Sequence, residues 1–278
     1  MNRSEWVAAA RRRMPASTIG VRAGLGAALD ARNAQTLGQA RRSMELLLGA
    51  ARPEVDLDPV ARRYLRQMRW MHEARWHPDA MPPLRVEGRD RLDAVAGGVL
   101  VSFVHHGPFP VIGVSLAEQG REVHAMANDD ICVPRHPWQR QIREIATAGG
   151  GRLFSRTEGS AGIRDRLERG LVVAVASDVP GRTPVRFLGR DLVGSSGAVR
   201  IAWTAGVPVV ACTTWVGEDG RPFYRLEEPQ QTGAHPSPEA LLQALLRFQE
   251  EPVLAWPEGY YDPLTKWSTE PRSSSASA

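Results

Sequence analysis

Lysine is almost missing from this chain of 278 residues. The positive charge is carried by arginine, and Lys266 is the only lysine. Cysteine is as scarce. Cys132 and Cys212 stand alone and far apart, which argues against a disulfide framework and a cysteine metal site. No apolar run reaches the roughly 20 residues of a membrane span. Trp6–Ala10 is too short for a signal-peptide core and is cut off by Arg11, Arg12 and Arg13, so the expected location is cytoplasmic. Phosphate-loop chemistry is absent too: Gly149-Gly150-Gly151 has no lysine after it, and no dinucleotide fingerprint follows a strand. Gly159-Ser160-Ala161-Gly162 and Gly194-Ser195-Ser196-Gly197 do not fit the Gly-x-Ser-x-Gly elbow of serine hydrolases. His72-Glu73 and His77 look superficially like a zinc-protease signature. The second histidine falls one place too far for one helical face, and Pro78 breaks the helix there. No other histidine spacing suggests a metal, and no metal or resident cofactor is expected.

What is present suits a globular fold. Hydrophobic residues make up 42% of the chain, enough for a real core, and the formal net charge is +4. A modest excess of arginine forks suits an acidic partner: an anionic lipid surface, a carrier protein or a nucleotide-bearing thioester. Nucleic acid is not expected as a partner.

Residues 1–83 read as a helical N-terminal portion. Glu5–Met14 and Asp30–Gly49 carry apolar positions at helical spacing, separated by Pro15, Gly20, Gly24 and Gly26. Pro59–Ala74 is the clearest helix, with Tyr64, Leu65, Met68 and Met71 along one face. Two readings of this portion stay open: a helical layer packed on the main domain, or a basic amphipathic surface that touches a membrane peripherally or meets a carrier protein. From residue 84 strands alternate with helices. Strands are expected at 84–87, 99–104, 122–127, 152–154, 171–176, 207–215 and, as an edge, 222–227. Helices are expected at 90–96, 108–120, 136–148, 159–169, 200–205 and 238–250. That pattern predicts an α/β fold, a mixed and mostly parallel sheet flanked by helices, in one domain over 84–267. Residues 268–278 read as a flexible tail.

The stretch 99–120, VLVSFVHHGPFPVIGVSLAEQG, organises the rest. Its apolar, β-branched start suits a strand buried on both faces, and His105 and His106 then fall at the strand's carboxyl end, before a helix. Open α/β sheets bind ligands at that edge. Asp178 follows LVVAVAS as directly as His105 follows VLVSFV, so a parallel sheet would bring both to one edge. A histidine held by a carboxylate is the minimum for general base catalysis. The alternative, a histidine capping a turn and an aspartate capping a helix, remains open.

Several ordered stretches resemble the lysophospholipid acyltransferase superfamily, especially its bacterial lipid A late-acyltransferase branch. Residues 85–110, RVEGRDRLDAVAGGVLVSFVHHGPFP, are similar to the approach to that branch's His-x4-Glu/Asp motif, with its histidine on His105. GGRLFSR (150–156) is similar to a block ending in arginine, here Arg156. LERGLVVAVASDVPG (167–181) is similar to one ending in an acid, here Asp178. VRFLGRDLVGSSGAVRIAWTAGVPVVACTTW (185–215) and, more loosely, PVLAWPEGYYDPLTKW (252–267) complete the series.

The resemblance implies an acyltransferase with a glycerolipid acyltransferase-like fold. Its acyl thioester co-substrate would be acyl carrier protein or acyl-coenzyme A, and its acceptor a hydroxyl or amine. His105 would be the base and Arg156 a binder of phosphate or oxyanion. His106, Arg182 and Arg200 join it as candidate substrate-binding residues by residue type and place in the chain, ordinary surface arginine being the alternative for the last two. The pattern breaks at Pro110, where the motif wants its acid. Three consequences follow as alternatives. Asp178, or Asp129, orients His105 instead; His105 acts alone on a more nucleophilic acceptor such as an amine; or the scaffold binds acyl groups without catalysis or with altered chemistry, such as release or cyclisation of a carrier-bound chain. With no membrane span in view, a specialised lipid or natural-product pathway is expected, in the cytoplasm or at the inner face of the membrane.

Overall fold

The computed structural model describes residues 3–118 and 120–267; the tail expected at 268–278 lies outside them. Nine strands are described: β1 (Val86–Glu87), β2 (Val99–Phe103), β3 (Val123–Ala127), β4 (Arg152–Ser155), β5 (Val172–Ala176), β6 (Thr183–Phe187), β7 (Arg190–Gly194), β8 (Val209–Val216) and β9 (Pro222–Leu226). The helices are α1 (Arg3–Arg13), α2 (Ile19–Asp30), α3 (Ala34–Leu48), α4 (Leu57–Ala74), α5 (Arg89–Asp93), α6 (Ile112–Ala117), α7 (Asp129–Cys132), α8 (Pro137–Thr147), α9 (Gly159–Glu168), α10 (Gly197–Ala205), α11 (Pro238–Ala255) and α12 (Pro263–Lys266). Seven strands form one sheet in the order β1-β9-β8-β2-β5-β3-β4, and β6 and β7 form a separate antiparallel pair. Within the large sheet only β8 and β9 pair antiparallel; the other neighbours are parallel. The fold is a mixed, mostly parallel sheet flanked by helices.

The central strands are apolar on both faces. Leu100, Val173, Val175, Val209 and Ala211 face one core, which they share with Met44, Leu47 and Leu48 of α3, Tyr64 and Leu65 of α4, and Leu242 and Leu246 of α11. Val99, Val101, Phe103, Val172, Ala174 and Val210 face the other, beneath Ile112, Val114 and Ile145. Each fully buried Val or Leu contributes roughly 1.5–3 kcal/mol over exposure. Strands so uniformly apolar have no polar face to set their register. The polar pairs at their carboxyl ends sit in that register. Ser102 meets Ser177 on one face, the Ser177 N–H donates to the Phe103 carbonyl, and His105 meets Asp178 on the other face.

Four sequence expectations change. Residues 19–30, which looked like a glycine-punctuated connection, form α2. Ile19, Ala23 and Ala27 bury one face, and Gly26 lets the helix approach Arg69 of α4, which also holds Asp30. Tertiary packing outweighs the helix cost of glycine, about 1 kcal/mol at each position. The β6–β7 hairpin was not expected. Its turn is Leu188-Gly189, with Leu188 itself at positive φ and buried, and that pair carries no Asn-Gly-type signal. Residues 222–226 are not at the edge of the sheet, because the two-residue strand β1 pairs outside them. The helix expected from Pro108 is also broken, into a 3₁₀ turn at Phe109–Val111 and then α6.

Candidate active site

β2 and β5 are neighbours in the parallel sheet, with Phe103 opposite Ala176. His105 and Asp178 each stand two residues beyond that pair, so the register carries them to the same place. Asp178 is fully buried, and its carboxylate accepts three hydrogen bonds. One Oδ2 bond comes from the His105 backbone N–H at 2.9 Å and the other from the Tyr260 hydroxyl at 2.7 Å; Oδ1 lies 2.7 Å from His105 Nδ1. Burial opposes ionisation of Asp178. The charge of His105, the hydrogen bonds from its ring and backbone, and the charge of Lys266 nevertheless hold the carboxyl below the usual carboxylate value. An ionised carboxylate can only accept, so the proton of the neutral ring is on Nδ1 and Nε2 is left with a free lone pair.

A C-terminal strap fixes this arrangement. The Tyr261 N–H donates to the His105 carbonyl at 2.7 Å, the Gly107 N–H to the Gly259 carbonyl at 2.9 Å, and Trp267 Nε1 to the Tyr260 hydroxyl at 2.9 Å. The His105 ring packs edge-on against Phe109, with centroids 4.7 Å apart. Gly107 has φ 65°, and a Cβ there would lie 2.5 Å from the Thr214 side chain, so glycine is needed for the turn that separates the two histidines from the following helix.

His106 points away from the edge. It is buried, its Nε2 donates to the Trp256 carbonyl at 2.8 Å, and burial lowers its pKa to about 4, so it stays neutral.

His105 lies in the walls of two cavities. One, of about 420 Å³, is rimmed by Arg156, Lys266, Asn128 and Thr265. The second, of about 200 Å³, is walled by Met71, Met81, Phe109, Ile142 and Tyr261 and also reaches Lys266. A third cavity of about 400 Å³ shares Met126, Val175, Ala176 and Val179 with the first and runs beneath α9 and α10. Of the expected binding residues, only Arg156 lies with His105 in one cavity. His106 touches neither cavity beside His105. Arg182 is exposed and lines none of the three. Arg200 edges the third cavity, where it is tied to Glu239 and Ser196. Asp129, the other acid considered for His105, instead accepts the Ser155 hydroxyl. Pro110 stands in the 3₁₀ turn and lines the 200 Å³ cavity. Sequence reasoning missed Tyr260, Trp267 and Arg75; Lys266 had stood out only as the sole lysine.

No protein-family model matches the chain, and no curated protein matches it in sequence. Among solved structures it is similar to the 1-acyl-sn-glycerophosphate acyltransferase PlsC from Thermotoga maritima. The TM-score is 0.43 at 16% identity, over 72% of this chain and 85% of that one. It is also similar to the 5-methylthioribose 1-phosphate isomerase from Pyrococcus horikoshii, with TM-score 0.27 and 16% identity, over 75% of this chain and 66% of that one. Both likenesses are remote.

Proposed function

We propose that the chain is an acyltransferase that moves an acyl group from a thioester, on acyl carrier protein or coenzyme A, to a hydroxyl or amine. The observation that carries this reading is the oriented His105 ring, with Nδ1 bound to Asp178, in the shared wall of two cavities that Lys266 also lines. Nε2 takes the proton of the acceptor as its oxygen or nitrogen attacks the thioester carbonyl. The carbon–sulfur bond then breaks, and the imidazolium returns the proton to the departing thiolate. Asp178 holds the ring's tautomer and stabilises the imidazolium that forms. It does from the neighbouring strand what the motif acid, replaced by Pro110, would do from within the same loop. Arg156 and Lys266 suit the phosphate of a phosphopantetheine arm, and the cavity beneath α9 and α10 suits an apolar chain.

The resemblance of 85–267 to the lipid A late-acyltransferase-like branch supports the same reading and suggests a specialised lipid or natural-product pathway. Contact with a membrane would be peripheral. No described helix is long and apolar enough to cross one, while Val21, Leu25 and Leu29 of α2 are each more than 60% exposed and the preceding helix α1 ends in three arginines. The test is intact-mass analysis of acyl carrier protein and acceptors after incubation with acyl thioesters. Wild-type protein should move the acyl mass to an acceptor, and His105→Ala should slow this by about 100-fold or more. Failure to bind or turn over any donor in the panel would reject the proposal.

A further inference from the structure

The 200 Å³ cavity beside His105 contains a cation with no close counter-ion. Arg75, at the end of α4, lies in its wall. Its Nε donates to the His72 carbonyl at 3.0 Å, and its guanidinium lies 5.8 Å from the Trp138 ring centre. Among the described residues no carboxylate comes within 4.0 Å of it. Glu73, close by in sequence, is turned to Arg11 and Arg22 at 3.5 and 3.7 Å. Desolvation is the main influence on the Arg75 pKa and pulls it down, outweighing the opposite influence of Tyr261 and of the more distant Glu73. A guanidinium kept in an apolar wall is costly unless something pairs with it.

The rest of the cavity narrows what that partner is. Lys266 adds a second positive charge, and His72 is neutral, its pKa lowered to about 4 by burial and then by Arg75, Arg69 and Arg11. Asp130 supplies one carboxylate, which accepts from Gln139 at 3.0 Å. The balance is one excess positive charge, which a monoanion neutralises and a dianionic phosphate overshoots. The volume lies below the roughly 300–1,000 Å³ of drug-sized ligand sites, and Phe109, Trp138, Tyr261 and Ile142 make the walls aromatic and aliphatic. A bare acyl chain would leave Arg75 desolvated and unpaired, and the larger cavity beneath α9 and α10 offers it a better place.

We propose that this cavity is the acceptor site, and that the acceptor is a small apolar molecule with one carboxylate, anchored by Arg75 so that its amine or hydroxyl meets His105 Nε2. The proposal rests on the acyltransferase reading for the word acceptor, but the anion site itself can be tested without any acyl donor. The probes are 3-phenylpropionate, the uncharged 3-phenylpropanamide and 3-phenylpropylphosphonate, titrated calorimetrically into the full chain at a pH above the second phosphonate pKa, where the phosphonate is a dianion. Wild-type protein should bind the carboxylate at least tenfold more tightly than the amide and more tightly than the phosphonate. Arg75→Met should abolish that preference, and Arg75→Lys should keep part of it. The wild-type comparison stands even if a variant fails to fold. Three results would overturn the proposal: no binding of the carboxylate, equal binding of the amide, or tighter binding of the phosphonate. A preference that survives in folded Arg75→Met would do the same. A protein that binds the carboxylate but transfers no acyl group would reject the acyltransferase reading and leave the anion site standing. One that acylates the acid and amide forms of an acceptor equally well would do the reverse.

Discussion

Replacing Asp178 by asparagine changes one atom and should reverse the tautomer of His105. Oδ2 accepts two donors whose positions are set by the backbone and by the strap, the His105 N–H and the Tyr260 hydroxyl. The asparagine carbonyl must take that place, because an amide NH₂ there would face two donors. The NH₂ group is then left opposite Nδ1, where it donates. Nδ1 becomes the acceptor, the ring proton moves to Nε2, and the nitrogen facing the cavities can no longer take a proton from an acceptor. The equivalent swap in a Ser-His-Asp triad lowers kcat by about 10⁴-fold, and a loss of about 10³- to 10⁴-fold is expected here. The fold should survive, because all three contacts remain hydrogen bonds. Stability should fall by about 1–3 kcal/mol through loss of the charged acceptor. The assay is single-turnover acyl transfer, with folding followed by circular dichroism and the imidazole tautomer read from ¹⁵N chemical shifts. A folded Asp178→Asn protein that keeps Nδ1–H and works within tenfold of wild type would refute the reasoning.

Tyr260→Phe removes the hydroxyl that links Trp267 to Asp178, and should lower stability by about 1–3 kcal/mol in urea titrations while slowing acyl transfer far less than Asp178→Asn does. His106 tests linkage. Its folded pKa of about 4 lies below the unfolded value near 6.5, so the unfolded chain takes up the proton first as pH falls. Its contribution is therefore present above about pH 6.5 and is lost between there and pH 4, on the order of 3 kcal/mol in all. Urea midpoints should fall across that window, and less steeply in His106→Gln; His72 acts with the same sign. Finally, the chain should float with anionic but not neutral vesicles and be released by 1 M salt, where the Debye length is about 3 Å. Binding that resists salt and yields only to detergent would contradict a peripheral, electrostatic contact.

The alternation of buried strands with helices after residue 84 was legible in the sequence because LVVAVA is apolar at every position and VLVSFV at every position but Ser102. Only strands covered on both faces need that pattern. The meeting of His105 with Asp178 was legible for the same reason: each follows its strand at the same distance, and parallel neighbours keep their ends together. Which strands were neighbours was not, since that depends on contacts between residues far apart in sequence. The separation of the two adjacent histidines was equally hidden. His105 is held at the cavity wall and His106 in the core by a strap whose hydrogen bonds start some 150 residues further along the chain. Helix α2 escaped notice because its glycines oppose the helix that packing selects, and the β6–β7 hairpin because, although Phe187-Leu188-Gly189 resembles a Phe-x-Gly turn, a leucine at positive φ is no signal for paired strands on either side of it. Nothing in the sequence sets Arg75 apart from the other arginines; the fold alone places it in the wall of a cavity beside His105. Residue type is written in the chain, but whether a charge is solvated, paired or left waiting for a ligand depends on what tertiary packing places beside it.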